Sequence, residues 1–78
     1  MRDVWEERAR ELVRGAMIAK GITYSELAQL MTSGGTPETD QNLRNKISRG
    51  SFTAAFLLQV SEAMGLDVEF VERKGRSA

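Results

Sequence analysis

Residues 41–50, QNLRNKISRG, gather the side chains in this chain best suited to chemistry. Arg44, Lys46 and Arg49 supply three cations, Gln41, Asn42 and Asn45 supply three amides, and no acid stands among them. The chain as a whole is neutral, with 11 basic and 11 acidic residues. Phosphates respond to the local field rather than to the total, so one basic surface matters more than the sum. The stretch also fits a solvated helix face whose cations lie near the C-terminal end and complement the dipole.

Other constellations are weaker. Glu7 and Glu11, four apart on one helix face, imitate a carboxylate pair, but the chain has no histidine and no cysteine. That removes the usual general base, thiolate and imidazole metal ligands, and disulfides. Neither catalysis, a metal nor a cofactor is expected. Gly34-Gly35 is no phosphate loop, because no strand precedes it and no Gly-Lys-Ser/Thr follows.

The 78 residues make one small domain. Domains this short have little stability to spare, and association with a copy is a common remedy. A hydrophobic fraction of 41% and a charged fraction of 28% are ordinary for a globular protein. No apolar run is long enough to span a membrane, and residues 1–20 do not read as a signal peptide. The expectation is a soluble, cytoplasmic protein. Its charges are unevenly spread. Residues 21–40 carry three acids and no base, whereas 41–61 carry three bases and no acid.

The elements that must position the cluster follow from periodicity. Val4, Trp5, Ala9, Leu12, Val13, Ala16 and Met17 recur at three and four, predicting a helix over 4–20 that Gly21 ends. Trp5 reads as core or interface. Thr23 and Glu26 form a capping box for a second, short helix with Leu27, Ala28 and either Leu30 or Met31 inward. TSGGTP at 32–37 is a loop. A third helix, about 38–49, carries Leu43 and Ile47 on its inner side, with Thr36 (Pro37 following) or Thr39 as cap. Thr53 caps a fourth, with Phe52 and Leu57 as a hydrophobic staple and Phe56, Leu57, Val60, Ala63 and Met64 as its buried stripe. Met17, Met31 and Met64 read as core fillers. LDVEFVE then alternates, predicting a strand over 66–72. A lone strand needs a partner, and a second copy is the simplest one. Residues 1–72 are thus expected to form one domain, and 73–78 a flexible tail.

The segments GITYSELAQLM and QNLRNKISRGSFTAAFLLQVSEAMGLDVEF resemble the lambda-repressor-like, Cro-type helix-turn-helix superfamily over about residues 8–72. The telling parts are T-x-x-E-L-A at 23–28, N-L-x-N-K-I-x-R-G at 42–50, and the F-T and L-x-x-V-x-E-A-M-G that follow. The same run also resembles a bacterial domain family of unassigned function. The resemblance implies a mainly α fold of four to five helices with a short C-terminal β-strand. It further implies a homodimeric transcription regulator that binds double-stranded DNA through its third helix in the major groove. Gln41, Asn42, Arg44, Asn45 and Lys46 then fall on the reading surface. Amides can pair bidentately with adenine, and Arg or Lys can reach guanine acceptors. Lys20, Thr23, Tyr24 and Arg49 take backbone-contact positions. A second reading keeps the fold and replaces DNA by a protein partner. Its motives are the neutral charge, the long 32–37 connection and the acids Glu38 and Asp40 at the helix entrance. The operator, an effector, and repression or activation are not written in the sequence.

Overall fold

A computed structural model describes residues 3–75. In it the chain forms four helices in order: α1 (Val4–Lys20), α2 (Tyr24–Ser33), α3 (Asp40–Arg49) and α4 (Ala54–Ala63). The protein is therefore mainly α. Helix α3 packs against α1 and α2, and α2 packs also against α4.

Each helix start is fixed by a short polar side chain that occupies an otherwise unpaired N–H. Asp3 accepts from the Trp5 N–H at 2.7 Å. Thr23 accepts from the Glu26 N–H at 3.1 Å, and the Glu26 carboxylate accepts in return from the Thr23 N–H at 2.9 Å. This is the capping box that the sequence predicts. Thr39 accepts from the Asn42 N–H at 3.1 Å and Thr53 from the Phe56 N–H at 3.0 Å. Thr39, not Thr36, is thus the cap of α3, which starts at Asp40 rather than near 38. The reason lies outside the helix. The Thr32 hydroxyl accepts from the Glu38 N–H and donates to the Glu38 carbonyl, both at 3.3 Å, and so holds that residue in the loop.

The core comprises Val13, Met17, Leu27, Ala28, Met31, Leu43, Ile47, Phe56, Val60 and Met64. It contains the three expected methionines and settles the choice between Leu30 and Met31 in favour of Met31. Leu57 and Ala63 are half-buried against it, and Phe52 stacks obliquely on Phe56 with ring centroids 5.4 Å apart. Ser61 is buried as well, its hydroxyl donating to the Leu57 carbonyl at 2.8 Å.

Two expectations are corrected. On α1 only Val13 and Met17 are buried, while Val4, Trp5 and Leu12 are exposed. At about 100° per residue, Val4 points half a turn away from Val13, and Trp5 and Leu12 lie on its flank. Trp5 is not core; the Arg8 guanidinium sits 5.0 Å from the centre of its ring.

The second correction concerns the C-terminus. Residues 66–72 form no strand. The Leu66 N–H closes the end of α4 on the Ser61 carbonyl at 2.9 Å. From 67 onward, no sheet edge among the described residues lies beside the segment to receive its N–H and C=O groups, and alternation alone cannot make a ladder. The tail expected at 73–78 lies partly outside the described residues.

One close approach fixes the end of α3. Gly50 is buried with φ +71, and a Cβ there would stand 2.0 Å from the Glu6 carbonyl oxygen. Only glycine fits both the backbone angle and the space.

Candidate functional site

Leu43 and Ile47 are completely buried and set the rotation of α3. At about 100° per residue, Asn45 then points directly away from the core, with Gln41 about 40° to one side of it and Arg49 about 40° to the other. Asn42 lies on the flank beyond Arg49, and Arg44 on the opposite flank. The Gln41 Nε2 donates to Asn45 Oδ1 at 3.3 Å, so the two amides form one exposed row along the helix. Asn42 and Arg49 are exposed beside it.

The other two cations are held. Arg44 donates to Asp40 Oδ1 at 3.1 Å, and its guanidinium lies 4.7 Å from the centre of the Tyr24 ring. Lys46 donates to Glu38 Oε2 at 2.6 Å, and its ammonium lies 5.1 Å from the centre of the Phe56 ring. The two acids at the helix entrance therefore neutralise two of the three cations. The Arg44–Asp40 pair is open to water on both sides, with side chains 52% and 47% exposed, whereas Lys46, 46% exposed, meets a Glu38 that is only 11% exposed. Arg49 has no ion-pair partner among the described residues.

A depression flanks α3 on each side. One is lined by the polar residues Arg14, Thr23, Tyr24, Ser25, Asp40 and Arg44 together with the apolar Met17, Ile18 and Ile22, and holds the N-terminus of α2. The other is lined by Lys46, Arg49, Ser51, Phe52, Thr53 and Phe56, and holds the N-terminus of α4. Each therefore joins cations to a helix start, where N–H groups and the dipole favour an anion. Thr23 and Thr53 also serve as caps, so their hydroxyl oxygens are already engaged as acceptors. At the first site Glu26 reinforces the cap. The Thr23 N–H, and then its hydroxyl, hold the Glu26 carboxyl below the usual glutamate range.

The structure thus brings Thr23, Tyr24, Gln41, Asn42, Arg44, Asn45, Lys46 and Arg49 to α3 and its two flanks. Lys20 is exposed in the last turn of α1 and lines neither depression. Arg14 was not singled out by the sequence, where it is one of five bases interleaved with four acids over 1–20. Only the packing of α1 on α3 shows it beside Arg44.

No group of three or more His, Cys, Asp or Glu side chains that could hold a metal occurs among the described residues. No helix there is long and apolar enough to cross a membrane. The profile of a domain family of unknown function (DUF6471) matches residues 5–68. Searches of curated proteins and of solved structures return no match.

Proposed function

The chain belongs to the DUF6471 family, and we propose that it is a sequence-specific DNA-binding transcription regulator with a lambda-repressor-like helix-turn-helix fold, acting as a homodimer. The role is binding rather than catalysis. Helix α3 enters the major groove. The observation that carries this reading is the amide row Gln41 and Asn45, with Asn42 exposed beside it, on a helix fixed by Leu43 and Ile47, with cations and a helix N-terminus on either side. Amides read base edges, while cations and free N–H groups hold phosphates on both strands. Arg14 and Arg44 with the start of α2 serve one strand, and Lys46 and Arg49 with the start of α4 serve the other.

Glu38 and Asp40 fit this reading as placeholders. An exposed ion pair contributes only about 0–1 kcal/mol. A phosphate can therefore take Arg44 from Asp40 at small cost, whereas Glu38, only 11% exposed, holds Lys46 more firmly. The acids keep the cations extended along α3 until DNA arrives. Two copies would present their α3 helices about one helical turn, roughly 34 Å, apart on a near-palindromic site.

The same ion pairs favour a second reading, a protein-interaction module on the same scaffold. The positive face is interrupted at Arg44 and Lys46, and a protein partner could use the amide row without phosphate contacts. Selection from a random duplex pool separates the two. The first reading expects enrichment of a defined site whose affinity falls steeply with salt. No enrichment at any ionic strength would leave the interaction module.

A further inference from the structure

Of the two depressions beside α3, the one at the start of α2 has walls that phosphate contact does not call for. It encloses about 490 Å³, against about 210 Å³ on the other side of the helix. The larger volume falls within the range of small-molecule sites. Met17 is buried beneath it, and Ile22 and Tyr24 are half-buried around it. Ile18 lines it too and is 76% exposed, more than any other large apolar side chain on the four helices.

The charges on the lining do not cancel. Asp40 is the one acid there, and Arg44 already engages it. Arg14 has no ion-pair partner among the described residues. One positive charge is therefore left uncompensated beside water-exposed aliphatic surface. An inorganic anion would answer the charge and leave Ile18 wet. A neutral apolar molecule would cover Ile18 and leave Arg14 unpaired. A molecule that satisfies both carries one negative charge on an apolar body.

We infer that this depression binds a small aromatic monocarboxylate, with its ring over Ile18 and Ile22 and its carboxylate against Arg14. Removing apolar surface from water supplies the affinity, and the charge-assisted bond from the guanidinium fixes the orientation. A flat ring also suits the thioether of Met17 and the ring of Tyr24. The ligand assignment stands on the lining alone. Its consequence for DNA rests on the reading above. A bound carboxylate at Arg14, beside Arg44, occupies the cations that serve one strand, so ligand and duplex exclude each other.

The full chain is titrated with 1-naphthoate, and amide ¹H–¹⁵N shifts are followed. Saturable shifts centred on residues 14–18 and 22–25 are expected, with a Kd of about 1 mM or tighter. The amide 1-naphthamide, acetate and inorganic phosphate should each bind about tenfold more weakly or worse. Arg14→Gln and Ile18→Ser should each weaken naphthoate about tenfold. Both side chains are exposed, so the fold should survive, which the unchanged remainder of the spectrum checks. Naphthamide binding as well as naphthoate overturns the anion requirement. Phosphate or acetate binding as well overturns the apolar one. Shifts centred elsewhere, or no saturation, overturn the site.

Saturating naphthoate should also weaken duplex binding about tenfold, and Ile18→Ser should abolish that effect while leaving duplex affinity without naphthoate unchanged. Duplex affinity that naphthoate does not move overturns the mutual exclusion. A chain that takes naphthoate at this site and binds no duplex at any salt concentration overturns the regulator reading and upholds the ligand site.

Discussion

Lys46 Nζ donates to Glu38 Oε2 at 2.6 Å across the start of α3, joining a residue of the helix to the last turn of the connection that leads into it. The Glu38 side chain is only 11% exposed, against 46% for Lys46, so the acid is the fixed member of the pair and the cation the movable one. Thr32 holds the Glu38 backbone from the other side. The connection is thereby tied to α2 and to α3 at once.

Glu38→Gln combined with Asp40→Asn should tighten binding to duplex DNA by about tenfold, roughly 1.4 kcal/mol. The slope of log affinity against log salt should become more negative by about one or two phosphate contacts. Fluorescence anisotropy titrations at several salt concentrations measure both. An unchanged slope would mean that Arg44 and Lys46 do not exchange their carboxylates for phosphate.

Arg44→Ala with Lys46→Ala should weaken binding to all duplexes alike, while Asn45→Ala should cost about 1–3 kcal/mol on the selected site and little elsewhere. Competition between selected and random duplexes checks the difference. Equal losses on both for Asn45→Ala would remove it from the reading surface.

Gly50→Ala should be among the most damaging single changes in the chain. A left-handed backbone angle costs a non-glycine residue about 1–2 kcal/mol, and overpacking adds about 1–3. The clash is with backbone, which has no rotamer to yield. Chemical denaturation should therefore show a loss of about 2–5 kcal/mol. A loss of only about 1–2 kcal/mol, the backbone-angle contribution alone, would show that α1 moves away freely.

Thr39→Ala should cost about 1 kcal/mol, lowering the melting temperature by about 4–8 °C in a domain of this size. Thr36→Ala tests the alternative start. It removes a hydroxyl that donates to the Met31 carbonyl at 3.2 Å, but that carbonyl keeps the Thr36 N–H at 2.9 Å, so the loss should be smaller. The reverse order in thermal melts would move the start of α3 back towards Pro37.

Glu26 gives a pH prediction. Its carboxyl is depressed in the folded state, so its contribution is present above the ordinary glutamate pKa of about 4.3 and is lost as pH falls through the lower folded value. Carboxyl NMR titration should place Glu26 below that value. In Thr23→Ala, which removes one of its two donors, the pKa should move back upward. A Glu26 midpoint unmoved by that change would exclude the Thr23 hydroxyl as a contributor.

The sequence carries those elements whose signals are local. Thr23 and Glu26 lie within one turn of each other, so their reciprocal bonds are visible as T-x-x-E before any packing is known. Leu43 and Ile47 are likewise one helical turn apart. The start of α3 is different. Thr36 and Thr39 are both competent caps, and the choice between them is made by Thr32, which belongs to another helix. Trp5 and Leu12 satisfy spacings of three and four, yet those spacings drift around the helix and leave the stripe. The alternation at 66–72 identifies an apolar side but contains no partner strand. For the candidate site, the amide row was legible because it needs only α3. Arg14 was not, because it joins the cluster through the packing of α1. The Asp40–Arg44 pair has the ordinary four-residue helical spacing, whereas Glu38 and Lys46 are eight apart and meet only through the shape of the loop.

The contact between Gly50 and the Glu6 carbonyl has one more consequence. It seats the far end of α3 backbone against backbone, with no side chain of the outward row taking part. Leu43 and Ile47 do the rest from the inside. Positions 41, 42 and 45 are consequently decoupled from the scaffold, and their chemistry can drift or be redesigned without refolding costs. A lineage of such chains could acquire new preferences by exchanging three surface residues, and a designed library could vary the same three on an unchanged frame.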